Sequence, residues 1–217
     1  MKDKNLCEKL SIALLARLDE KACYNEYLNA AVLVPLIWEN DQISVLFEVR
    51  SAHLSWQPGE ICFPGGRIEA IDDSPLSTAV RETTEEIGLK AEQIQVLGAL
   101  HEVISPIGVR LYPFVGYICD TQHINANLDE VSEIFAVPLD FLLTAEPIVG
   151  HMERCTRPLA DFPFELLPGY SESWQRRKNY QVLFYKYKEH VIWGLTAQVL
   201  YDFLEVYRVL QNEKTKK

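Results

Sequence analysis

Apolar residues in this chain fall into short runs separated by polar turns, and their spacing switches between strand-like and helical at readable places. Residues 30–38 and 43–49 form two apolar runs joined by Glu39-Asn40-Asp41-Gln42, which predicts a β-hairpin. Residues 94–100 and 112–119 predict two further strands, with Pro106 and Gly108 breaking the chain between them. A last hairpin is predicted over 180–187 and 191–193, turning at Lys188-Glu189-His190. Helical spacing appears in three places. Leu6, Leu10, Ile12, Leu14 and Leu18 predict a short N-terminal helix over about 4–18. Leu195, Val199, Leu200, Phe203, Leu204, Tyr207 and Leu210 predict an amphipathic helix over about 195–212. Between them, Ser74 suits an N-cap, Pro75 a first helical position and Gly88 the residue past a helix end. Leu76, Ala79, Val80, Thr83 and Ile87 supply the buried face of that central helix.

Strands before and after one central helix, with a long helix at the end, predict a mixed α/β fold. No repeat or linker interrupts the chain, so residues 1–217 are expected to form one domain. Residues 149–179, which carry Pro158, Pro163 and Pro168, are long for a structureless loop. They predict either a functional cover or structure that the pattern does not reveal.

Composition narrows the range of functions. Hydrophobic residues make up 48% and charged residues 24%, as in ordinary globular proteins. A net charge of -10 speaks against nucleic-acid binding, which needs clustered Lys and Arg to displace counterions. The longest apolar run, 30–38, contains Pro35 and is too short to span a bilayer, so no membrane partner is expected. The five cysteines are scattered without a CxxC pair, as expected of free thiols in a reducing compartment. With a polar stretch from Met1 to Asn5 and no visible secretory signal, a cytoplasmic location is expected.

The candidate chemistry lies in the central helix. Glu82, Glu85 and Glu86 stand at i, i+3 and i+4, so their carboxylates share one face. Like charges at that spacing repel, and anions near a helix C-terminus oppose the helix dipole. A solvated acidic face is one reading of such a triplet. The other is a site for a hard divalent cation, which takes oxygen ligands from one or two carboxylates, water and substrate phosphate. Upstream, Gly65-Gly66 allows a tight turn and a close backbone approach to a ligand.

Together, Gly65-Gly66, the acidic loop after them and Arg81-Glu82-Thr83-Thr84-Glu85-Glu86-Ile87-Gly88-Leu89 resemble the Nudix box. Its pattern is G-x5-E-x7-R-E-U-x-E-E-x-G-U, with U a bulky aliphatic residue; Thr83 departs from it. The first half is one residue longer here, so the upstream acid is Asp72 or Asp73. That longer spacing is similar to the coenzyme A pyrophosphatases of the superfamily. So is the preceding stretch, where Arg50, Ser51, Gly59 and Phe63-Pro64-Gly65-Gly66 fit a motif L-L-T-x-R-[SA]-x3-R-x3-G-x3-F-P-G-G. Glu48 stands where that motif has threonine, and Ser55 where it has its second arginine. The segments 129–139 and 192–197 also look like family segments.

The resemblance implies a Nudix α/β/α sandwich with a mixed sheet, and metal-dependent hydrolysis of the diphosphate of coenzyme A or its thioesters. It implies Mg²⁺ or Mn²⁺ held by Glu82, Glu85 and Glu86, with Glu85, Glu86 and Arg81 as the catalytic set. Arg81 would orient Glu85. Arg50, Gly65, Gly66 and Glu130 are candidates for substrate contacts, Glu130 also as a further carboxylate near the metal. His53 and the run Trp174-Gln175-Arg176-Arg177-Lys178 are weaker candidates, the run for an adenine and a phosphate. Other readings are a Nudix hydrolase of ADP-ribose or an oxidised nucleotide, and a non-catalytic ligand-binding regulator. The terminal helices offer surfaces for a homodimer.

Overall fold

A computed structural model describes residues 27–214 of the protein. The predicted N-terminal helix lies outside the described residues.

Strands β1 (Leu28–Glu39) and β2 (Gln42–Arg50) form the first predicted hairpin. Asn40 and Asp41 both adopt left-handed backbone, with φ of 48° and 61°, as a two-residue hairpin turn requires. Strands β3 (Ile61–Cys62) and β4 (Gly65–Arg67) are short, and follow the loop after β2. The central helix α1 spans Pro75–Ile87 with the expected ends. The Ser74 side chain accepts from the Ser77 backbone N–H, the Ser77 side chain accepts in return from the Ser74 N–H, and Gly88 closes the helix in left-handed conformation. Of its predicted apolar face, Ala79, Thr83 and Ile87 are buried while Leu76 and Val80 are half-buried. Glu86 is buried with them.

Strands β5 (Ile94–Ala99), β6 (Val103–Ile104), β7 (Val109–Ile118) and β8 (Val131–Pro138) complete a mixed eight-stranded sheet. Its backbone is the parallel pair β1–β7, flanked by antiparallel neighbours. Along its length β1 pairs with β4 near its start and with β2 near its end. Strand β2 also pairs with β3 and β8, which places Glu48 beside Cys62 on one side and Ile134 on the other.

After β8 come α2 (Leu139–Thr144), β9 (Ile148–Met152), β10 (Cys155–Thr156) and β11 (Gln175–Arg176). The predicted hairpin follows as β12 (Tyr180–Tyr187) and β13 (His190–Trp193), and α3 (Gly194–Lys214) ends the described chain. Segment 149–179 therefore holds structure that the apolar pattern hid. Strand β9 joins β12 and β13 in a second, three-stranded sheet, and β10 pairs with β11. The residues of β9 are largely exposed, so no period of two marks them.

Strand alternation explains the layering. Val34 and Leu36 of β1, Val45 and Phe47 of β2, and Val137 of β8 pack with Leu139, Leu142, Leu200, Phe203 and Leu204 of α2 and α3. On the opposite face Ile37 and Leu46 pack with Ile87 at the end of α1. The sheet is thus covered by α1 on one side and by α2 and α3 on the other, an α/β/α sandwich. Leu200 is fully buried within the larger cluster. Leu200→Ala is expected to lower the unfolding free energy by about 2–5 kcal/mol, the range for cavity-forming changes in a packed core. Urea denaturation with an unchanged m-value would check it.

Candidate active site

The alternation that sends Leu46 of β2 toward α1 sends Glu48 the same way. Glu48 is fully buried there, and Glu86, the penultimate residue of α1, is almost fully buried. Between the two runs the turn from β3 into β4. The Gly65 N–H donates to Glu86 Oε2 at 2.8 Å, and Gly65 has a φ of 154°, open chiefly to glycine. A side chain at Gly65 would strike the backbone of Ala31 and Val32, and one at Gly66 would strike the Glu82 carboxylate. The sequence suggested that this glycine pair admits a ligand. In the structure the space beside it is taken by Glu82 and Glu86.

Arg81 organises the exposed side of the cluster. It grips Asp72 in a two-point contact, Nε to Oδ1 at 2.9 Å and Nη2 to Oδ2 at 3.0 Å. Its Nη1 reaches Glu82 Oε1 at 2.9 Å and Glu85 Oε2 at 3.1 Å. The pairing expected with Glu85 is present, but Asp72 is the better-held partner. Asp72 also accepts from the Glu69 N–H and the Thr78 hydroxyl, each at 2.9 Å. These bonds, the Arg81 one foremost, hold its carboxyl well below the usual range. Of the two upstream acids, Asp72 braces the helix, while Asp73 is exposed. Thr83, the departure from the aliphatic position, is buried and satisfied by donating to the Ala79 carbonyl at 2.6 Å.

Glu48 and Glu86 are both pushed upward, burial being the largest cause for each. Glu48 also raises Glu86 directly, and the charges of Glu82 and Glu130 raise Glu48. Arg50 opposes both shifts, which places its guanidinium within electrostatic reach of the pair. Glu130 is brought to the same neighbourhood by its loop, where its carbonyl accepts from the Ser51 N–H at 2.7 Å. Arg50 and Glu130 therefore lie near the acidic cluster.

The weaker candidates are dispersed. His53 is exposed. In the basic run, Arg176 pairs with Glu153 at 2.7 Å, Arg177 Nε donates to Thr156 Oγ1 at 2.7 Å, and the Arg157 guanidinium lies over the Trp174 ring. Lys178 instead lines a separate cavity of about 600 Å³ with His151 and Arg154.

Sequence reasoning did not assign Glu48 to the site. Its signal was a charged residue at an inward position of the period-two pattern, in phase with Leu46. Its Oε1 accepts a hydrogen bond from Cys62 Sγ at 3.2 Å, and its Oε2 is buried without a partner. Among the described residues no three His, Cys, Asp or Glu side chains stand in a geometry that would close on an ion. Glu82 and Glu85 turn to Arg81 and Glu86 to Gly65. Even so, the donor set suits a divalent cation: oxygen ligands, excess negative charge and a buried oxygen with no bond of its own.

The fold is an α/β/α sandwich in which a buried helix carboxylate, Glu86, is set against a glycine turn with further acids beside it, an oxygen-rich site of the kind that suits a divalent cation and a phosphate. A family model described as NUDIX domain matches residues 27–157. The chain belongs to the Nudix family. It is 32% identical over 181 residues to the uncharacterised Nudix hydrolase NudL of Photorhabdus laumondii, covering 83% of this chain and 86% of that one. It is 32% identical over 178 residues to Nudix hydrolase 3 of Caenorhabditis elegans, covering 80% and 71%. It is also 37% identical over 132 residues to the peroxisomal coenzyme A diphosphatase NUDT7 of Mus musculus, 61% of this chain and 55% of that protein's length. No described helix is long and apolar enough to cross a membrane.

The raised carboxyls have a consequence for stability. A carboxyl whose folded value lies above the unfolded one, near 4.3, stabilises the fold fully below that value and loses the contribution as pH rises. Asp72 acts in the opposite sense, stabilising above the ordinary carboxylate range and losing its contribution on acidification. In chelator, Glu48→Gln is therefore expected to raise the melting temperature relative to wild type more at pH 8 than at pH 5. Thermal unfolding at both pH values checks this; an equal difference at both would contradict it.

Proposed function

We propose that this chain hydrolyses the diphosphate linkage of coenzyme A or its thioesters in a metal-dependent reaction. Water would displace at phosphorus, giving 4′-phosphopantetheine, or its acyl form, and adenosine 3′,5′-bisphosphate. The observation that carries the reading is the meeting of the α1 carboxylates with the Gly65–Gly66 turn, in a chain that has the longer glycine-to-helix spacing and Arg50-Ser51 ahead of it. The similarity to a relative named as a coenzyme A diphosphatase supports the same substrate class.

Nudix hydrolases generally need divalent metal ions. In this reading Glu82, Glu85 and Glu86 hold Mg²⁺ or Mn²⁺. When bound, such an ion would supply charge neutralisation for the diphosphate and would activate water for attack. The chain's own groups have distinct duties. Gly65 holds Glu86 in place, Arg81 orients Glu85 and, with Asp72, fixes the helix against its loop. Arg50 lies close enough to the cluster to meet a phosphate there. Glu130 adds negative charge from the facing loop.

Ser55 favours a second reading within the family, because the motif's second arginine is missing where it would meet an anionic ligand. That reading is hydrolysis of another nucleoside diphosphate derivative such as ADP-ribose. The two separate in one assay. With Mg²⁺ present, a coenzyme A enzyme is expected to release the two named products and to lose most of its kcat/KM when the substrate lacks the 3′-phosphate. Equal or better turnover of ADP-ribose would favour the second reading. Glu86→Gln is expected to lower kcat by about 10²- to 10⁴-fold, the span associated with a positioned acid–base group, while circular dichroism shows the fold retained. Full activity in that variant would exclude Glu86 from the chemistry.

A further inference from the structure

We propose that Glu48, on strand β2, is an additional ligand for the divalent cation, an inner carboxylate approaching from the sheet opposite the helix glutamates. The inference rests on the metal-dependent reading above and extends it to a residue outside the helix.

Three independent features of Glu48 lead there. Its side chain is fully buried, and one carboxylate oxygen, Oε2, has no hydrogen-bond partner. Buried polar atoms are almost always satisfied, and an orphan of this kind calls for an ion or water. The other oxygen has only a thiol as donor, Cys62 Sγ at 3.2 Å, and a thiol is a weak one. No protein cation contacts this carboxylate among the described residues, in contrast to Glu82 and Glu85, which both reach Arg81. Finally, strand alternation directs Glu48 to the α1 face, where its charge acts on Glu86 and where Glu82 and Glu130 act on it. Carboxylates from the helix and a facing loop thus act on a strand carboxylate that carries one buried, unpartnered oxygen. The motif that this stretch resembles has threonine at this position, so the carboxylate is a departure from that motif.

A carboxylate kept only to pack would be replaced without loss by the isosteric amide. A ligand would not. Mn²⁺ binding to the full chain, measured without substrate by the electron paramagnetic resonance signal of free Mn²⁺, separates these cases. Wild type is expected to bind Mn²⁺, and Glu48→Gln and Glu48→Thr to bind at least tenfold more weakly. In thermal melts, Glu48→Gln is expected to match or exceed wild type in chelator, and both variants to gain less than wild type on adding MnCl₂. Variants that bind Mn²⁺ like wild type, while Glu86→Gln loses it, would overturn the role of Glu48 and leave the proposed function standing. Variants that both melt below wild type in chelator would show Glu48 serving the fold, which also overturns the inference. A wild type that binds no Mn²⁺ would overturn this inference and the metal-dependent reading together.

Discussion

Two carboxylates removed from water on the same side of a sheet set the terms for the rest of this molecule. Burial disfavours the charged form of Glu48 and of Glu86, and their proximity adds mutual repulsion. Little within the protein offsets this: a backbone N–H for Glu86, a thiol for Glu48 and the field of Arg50. A packed apolar pair in the same place would serve stability better. Retaining acids there makes physical sense if an ion of opposite charge shares the space.

The surrounding architecture holds that arrangement in register. Strand β1 anchors it, pairing with β4 where the glycine turn begins and with β7 over residues 28–36. The cap at Ser74 and the left-handed Gly88 fix where α1 starts and stops, and so which of its residues lie beside the turn. Arg81 then links the helix to Asp72 in the preceding loop, while also contacting the largely buried Glu82 and the exposed Glu85. Glu86 is positioned by backbone and packing, Glu82 and Glu85 by a single arginine. The fold supplies a platform; the chemistry belongs to this group of side chains.

Much of this was readable from residue order. The two hairpins, the central helix with both ends and the C-terminal helix follow from local signals: turn chemistry, caps and apolar period. The glutamate triplet was visible because α-helical spacing fixes which residues share a face. What could not be read depends on contacts between distant segments. Strands β9, β10 and β11 are exposed or only two residues long, so they form through pairing with later strands and not through their own pattern. The choice of Asp72 over Asp73 as the Arg81 partner is a matter of loop geometry across nine residues. Glu48 shows the sharpest limit. Its sequence neighbours marked it as an inward position, but only the packing of α1 over β2 shows that it meets Glu86.

The most direct test is anomalous diffraction at the manganese edge from crystals of the full chain grown with MnCl₂. The account predicts a peak at the Gly65–Gly66 turn, within coordination distance of helix α1 carboxylates, with Glu82 turned away from Arg81 toward the ion. An ordered site in which Glu82 and Glu85 stay on Arg81, and manganese is absent or lies elsewhere, would contradict it.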